Sequence, residues 1–130
     1  MHRALLLDTD VLVDYLRGDE RAVAFVKGCA DRIVLSSVVA AELYAGVKGE
    51  AELSALDEFV ALFRAIPVTV EIARAAGLLK RDFGKSHGIG MADAILAATA
   101  QTEEAELATL NVKHYPMFKG LRAAYLKRAP

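Results

Sequence analysis

Short apolar runs alternate along this chain with longer stretches in which apolar residues recur every three or four positions, the periods of strand and helix. The first run, "RALLLD" (residues 3–8), closes on polar residues and predicts a strand buried on both faces. "VLVDYLR" and "ERAVAFVKGC" follow as two helical segments, with Gly18 between them and Gly28 ending the second. "IVLS" (33–36) predicts a second buried strand. Ser36 or Ser37 then offers an N-cap for the helix "VVAAELYAGVK", whose end Gly46 and Gly49 mark. From about residue 51 to 64 the spacing of Leu53, Leu56, Phe59, Val60 and Phe63 predicts a longer helix. "IPVTV" reads as a strand, "EIARAAGLLKRDFG" as an amphipathic helix, and "KSHGIG" as a glycine-containing loop. "MADAILAATAQ" follows as an alanine-rich helix and "AELATLN" as a last short strand.

Strands that alternate with helices of this length predict an α/β fold with a mostly parallel central sheet flanked by helices. No repeat, low-complexity tract or linker divides the sequence, so residues 1–130 are read as a single domain. In such folds ligands gather at the carboxyl ends of the strands, and Asp8 stands where the first strand ends.

Composition narrows the setting without changing that picture. With 55% hydrophobic and 25% charged residues the chain is globular, with one core and no sign of disorder. Its longest apolar stretches, such as "ALLL" and "AILAA", fall far short of the ~20 residues that cross a bilayer, so no membrane span is expected. The N-terminus lacks the pattern of a secretory signal, which places the expected location in the cytoplasm. Cys29 is the only cysteine, which excludes an internal disulfide and a thiolate zinc cluster and suits a small buried hydrophobe. A formal net charge of −1 makes no global case for nucleic-acid binding. A local patch is offered by Lys113, His114, Lys119, Arg122, Lys127 and Arg128, for which a solvated tail is the plain alternative.

Two more acids share the isolation of Asp8. Glu42 is the sole charge in residues 33–47 and Asp93 the sole charge in residues 88–102, and both helices are expected to be packed nearly all round. An ionised carboxylate in such surroundings costs several kcal/mol unless it is exposed, paired with a cation or bound to metal. No lysine or arginine accompanies either acid locally, and oxygen ligands favour Mg²⁺ or Mn²⁺ over zinc. Each acid also has a structural explanation of its own. Asp93 falls in the first turn of a helix, Asp8 and Asp10 suit a turn, and Glu42 suits a water-facing position. Three solitary acids together argue against coincidence.

The segments "LLLDTDVLVDYLRG", "SSVVAAELYAGV", "GIGMADAILAATA" and "LATLNVKHYP" resemble, in order and rough spacing, the PIN-domain ribonucleases, and among them the VapC toxins of bacterial toxin–antitoxin pairs. The resemblance covers almost the whole chain and implies a metal-dependent endoribonuclease of α/β/α build. It implies that Asp8, Glu42 and Asp93 form the acidic cluster that holds Mg²⁺ or Mn²⁺, with Thr9 and Asp10 supporting it. The family often adds a fourth acid in or just after a T-x-N/D segment; here "TLNVKHYP" carries Thr109, Asn111 and His114 and no acid. That departure favours one resident metal, a second being recruited by substrate phosphate. Asn111 would orient water or phosphate, and His114 would contact the RNA backbone or remain a surface histidine. Hydrolysis would use metal-activated water, and family precedent points to structured RNA of the tRNA or rRNA class. The same resemblance implies a small antitoxin whose tail covers the acidic site, and a homodimer. Leu53, Leu56, Phe59 and Phe63 could form a groove for a partner helix or belong to an ordinary core.

Rival readings make different demands. A haloacid-dehalogenase-like phosphatase shares a D-x-D opening but needs a later lysine and a paired-acid motif, whereas Asp93 stands alone. A PIN-like module that binds RNA or a partner without cutting would be consistent with the missing fourth acid. Dinucleotide binding fails for want of a G-x-G-x-x-G turn after the first strand.

Overall fold

In the computed structural model, which describes residues 3–126, four parallel strands form one sheet in the order β3-β2-β1-β4. β1 (Leu5–Leu7) is followed by α1 (Thr9–Leu16) and α2 (Glu20–Gly28), then β2 (Ile33–Ser36), α3 (Ser37–Ala45) and α4 (Gly49–Val60). β3 (Ala65–Ile66), α5 (Val70–His87), α6 (Met91–Thr102) and β4 (Glu106–Ala108) complete the regular elements, and single 3₁₀ turns occupy Ala30–Arg32 and Val112–His114. Successive strand residues point to opposite faces, and Leu5, Leu6 and Leu7 are all buried, so helices cover the sheet on both sides. The α/β architecture predicted from the sequence is the one found.

Connectivity singles out β1. The chain steps outward from β1 to β2 to β3, then returns past β1 to place β4 on its other side, pairing Leu5, Leu6 and Leu7 with Glu106, Leu107 and Ala108. The carboxyl end of β1 is therefore the topological switch point where open α/β sheets bind ligands. Asp8 continues the ladder there, its N–H donating to the Ala108 carbonyl over 2.9 Å.

Several boundaries differ from the sequence expectation for local reasons. The strand expected in "IPVTV" shrinks to Ala65–Ile66, because Pro67 cannot donate to a ladder and Thr69 N-caps α5, leaving Val70 as its first residue and 87% exposed. α5 runs through Lys85–His87, residues expected in a loop, and stops at Gly88, whose φ of +65° is left-handed. α1 starts at Thr9, so Asp8 is its N-cap as well as the end of β1. α3 is not packed all round: Val39 and Leu43 are buried, while Ala41, Glu42 and Ala45 face solvent. α6 does meet that expectation, with Ala94 and the whole run from Leu96 to Ala100 buried.

Leu56 and Phe59 belong to the core, and the half-buried Phe63 packs edge-on against Phe59, so the residues considered for a partner groove are mainly an intramolecular core. Only Leu53 of that set is exposed. Cys29 is buried, as expected. Among the described residues no helix is long and apolar enough to cross a membrane. Of the basic C-terminal residues, Lys113, Lys119 and Arg122 are exposed, His114 turns inward, and Lys127 and Arg128 lie outside the described residues.

Candidate active site

The ends of β1 and β4, the first turns of α1 and α6 and the middle of α3 bring the acids together. Asp8 is 7% exposed, and each of its oxygens is occupied: Oδ1 accepts the Thr9 N–H over 2.8 Å, and Oδ2 accepts the Thr109 and Tyr115 hydroxyls, each over 2.8 Å. The opening aspartate thus closes a buried strand because it caps the next helix and collects hydroxyl donors from the chain beyond β4.

Asp93, in the first turn of α6, uses both oxygens toward the same segment. Its Oδ1 accepts the Tyr115 hydroxyl over 3.1 Å and its Oδ2 lies 3.0 Å from His114 Nδ1. A carboxylate only accepts, so this contact is a hydrogen bond in the tautomer with the proton on Nδ1, and the side-chain amide of Asn111 lies 2.9 Å from the same nitrogen. The His114 pair stands where the resemblance left a choice between a backbone contact and an idle surface residue.

Glu42 joins through a bridge. The Thr9 hydroxyl donates to its Oε1 over 2.6 Å, linking the first turn of α1 to the exposed side of α3. Asp10 accepts the Val11 N–H at Oδ1 over 2.7 Å and the Leu110 N–H at Oδ2 over 3.0 Å, which ties the start of α1 to the end of β4. Burial, followed by the nearby Asp8 charge, pushes the Asp10 carboxyl up to about 6. The Tyr115 phenol is pushed far above its ordinary range, first by burial and then by the Asp8 and Asp93 charges, so it remains a proton donor.

All eight residues selected from the sequence (Asp8, Thr9, Asp10, Glu42, Asp93, Thr109, Asn111 and His114) fall into this one network of hydrogen bonds. Tyr115 was not among them, although it joins two of the acids. Its signal in the sequence is an aromatic hydroxyl inside "TLNVKHYP" itself, directly after His114, and a buried tyrosine needs a partner for its O–H.

Charge decides what this arrangement suits. Among the described residues none of Asp8, Asp10, Glu42 and Asp93 is paired with lysine or arginine, and His114 beside Asp93 is the nearest approach to a counter-charge. Oxygen donors with an uncompensated negative charge suit a hard divalent cation. Among the described residues no group of three or more His, Cys, Asp or Glu side chains is already arranged to hold a metal ion. Here Asp8 and Asp93 meet through a phenol and Glu42 through a threonine. Beside Glu42 runs a groove of about 440 Å³ between α1, α3 and α4, lined by Leu16, Arg17, Leu43, Val47 and Leu56 among others.

Known proteins resemble this chain in sequence and in fold. The family model for the PIN domain matches residues 5–116. Ribonuclease VapC19 of Mycobacterium tuberculosis is 41% identical over 124 residues, an alignment covering 92% of this chain and 98% of that protein. A chain of a toxin-antitoxin complex from Klebsiella pneumoniae superposes with a TM-score of 0.81 at 24% identity, over 94% of this chain and 98% of that one, and speaks to the fold alone. A chain of VapBC2 from Rickettsia felis, solved bound to a DNA fragment from the promoter, gives a TM-score of 0.74 at 26% identity over 91% of this chain and 95% of that one.

Proposed function

The chain belongs to the PIN-domain family, and on that premise we propose that it is an endoribonuclease, the toxin of a toxin–antitoxin pair, dependent on Mg²⁺ with Mn²⁺ as a substitute. Its substrate on this reading is structured RNA of the tRNA or rRNA class, cut in the cytoplasm. The observation that carries the proposal is the convergence of Asp8, Asp93 and Glu42, through Tyr115 and Thr9, on the switch point of the sheet, with no lysine or arginine among the described residues paired to them.

Asp8, Glu42 and Asp93 are the residues that would hold the cation. Once bound, it would supply positive charge to the anionic phosphodiester and lower the pKa of water. The protein contributes position and proton acceptance. Glu42 is exposed and uses Oε1 to accept from Thr9, which leaves Oε2 to take the proton of the attacking water. Asn111, held against His114, orients water or phosphate at the same rim. The groove beside Glu42 offers a small antitoxin a surface continuous with the acids it would cover. Leu62 and Val70, 75% and 87% exposed on either side of β3, are available for a homodimer contact.

One observation favours a non-cleaving RNA- or partner-binding module: the absence, among the described residues, of a ready metal-binding trio. Total cellular RNA incubated with partner-free protein separates the two readings. The nuclease yields discrete fragments with Mg²⁺ or Mn²⁺, and none with EDTA or with Asp93→Asn. Intact RNA throughout, from folded protein that binds RNA with or without metal, establishes the binding module instead.

A further inference from the structure

We propose that Tyr115 is a positioning residue for the divalent cation, its hydroxyl fixing the relative placement of Asp8 and Asp93 so that both carboxylates face one ion. The inference rests on the metal-dependent reading above and adds to it a residue of "TLNVKHYP" beyond Thr109, Asn111 and His114.

The first argument is a count of protons. A phenol has one hydrogen, yet Tyr115 Oη lies 2.8 Å from Asp8 Oδ2 and 3.1 Å from Asp93 Oδ1. Asp8 Oδ2 also receives the Thr109 hydroxyl over 2.8 Å. Asp8 is therefore well supplied, while Asp93 Oδ1 shares a proton that the shorter contact claims. A tyrosine that only needed to satisfy its own O–H in the core would require one acceptor, not two anions. Two carboxylates drawn to one phenol are an arrangement that added positive charge relieves.

The second argument is rigidity. The Tyr115 ring is 1% exposed and packs against Phe118, with ring centroids 6.4 Å apart. Its backbone is fixed at both ends: the Tyr115 N–H donates to the Val112 carbonyl over 3.0 Å, and the Phe118 N–H donates to the Tyr115 carbonyl over 3.1 Å. The residue before it, His114, holds the other oxygen of Asp93. Consecutive residues thus orient both oxygens of Asp93, and one of them also reaches across to Asp8. Outer partners that orient ligating carboxylates in this way typically contribute about 10- to 100-fold in metal affinity.

The test is Mn²⁺ binding by calorimetry to the full chain without RNA, for wild type, Tyr115→Phe and Asp93→Asn. Phenylalanine keeps the ring and removes only the hydroxyl. The expected result is a Mn²⁺ dissociation constant at least about 10-fold weaker in Tyr115→Phe, with an unchanged circular dichroism spectrum. A constant within about twofold of wild type, or a tighter one, overturns the proposal. If wild type binds Mn²⁺ and Asp93→Asn does not, that failure belongs to Tyr115 alone; if wild type does not bind Mn²⁺, the metal reading fails and takes Tyr115 with it. Should Tyr115→Phe not fold, wild type decides the matter. The chain has four tyrosines and no tryptophan, so Mg²⁺ addition must produce a tyrosine difference spectrum in the near ultraviolet, and its absence overturns the proposal.

Discussion

The Thr9 hydroxyl donates to Glu42 Oε1 over 2.6 Å, so the residue after the strand-end aspartate holds the one exposed acid of the site. Thr9→Val keeps the β-branched shape and removes the donor. Because the bond is exposed, stability should change by no more than about 1 kcal/mol, while single-turnover RNA cleavage should fall by about 10-fold as Glu42 loses its orientation. Urea unfolding and a cleavage time course on the same preparation separate the two effects.

Asp8 has a structural role beneath its proposed catalytic one, and two substitutions divide them. Asparagine caps a helix as well as aspartate does, but its one acceptor oxygen cannot also serve the Thr109 and Tyr115 hydroxyls, so both variants lose that buried acceptor and only alanine loses the cap as well. Both variants should be inactive on RNA. In EDTA, Asp8→Ala should be less stable than Asp8→Asn by about 1 kcal/mol, the cap that it alone loses, while both fall below wild type by the acceptor they share in losing.

The Asp10 carboxyl is raised from 3.8 to about 6, by burial first and the Asp8 charge second. The folded chain therefore holds this proton more tightly than the unfolded chain, and ionisation opposes folding. The contribution is fully present below 3.8 and is lost as pH rises through about 6. In EDTA, the stability of wild type relative to Asp10→Asn should fall across that interval and level off above it. Urea midpoints at a series of pH values read the difference directly.

Metal removal should be visible in stability as well as in cleavage. An ion that binds only the folded chain adds about 2.7 kcal/mol at 100 times its dissociation constant, which for a domain of this size raises the melting temperature by several degrees. Mg²⁺ should produce that shift, EDTA should reverse it, and Asp93→Asn should show neither change.

These residues also mark how far the sequence could be read. The strands at Leu5–Leu7 and Ile33–Ser36 and the rim acids were legible because each sits inside a short apolar run whose end is local. "IPVTV" misled because its apolar alternation mimics a strand, while Pro67 and the Thr69 cap act on the backbone. α3 looked wholly buried because alanines carry no sign of which face is wet, and its exposed side is the one that bears Glu42. Tyr115 stayed hidden for a different reason. Its partners lie 107 and 22 residues away, and only the return of the chain past β1 brings them within reach of one hydroxyl.

The central claim is that Asp8, Glu42 and Asp93 hold one divalent cation at the end of β1. A crystal grown with Mn²⁺ and measured for anomalous scattering tests it most directly. The account predicts a manganese peak bonded to oxygens of Asp8, Glu42 and Asp93. Manganese bound elsewhere on the chain, with Asp8 and Asp93 still joined only through the Tyr115 hydroxyl at saturating metal, would contradict it.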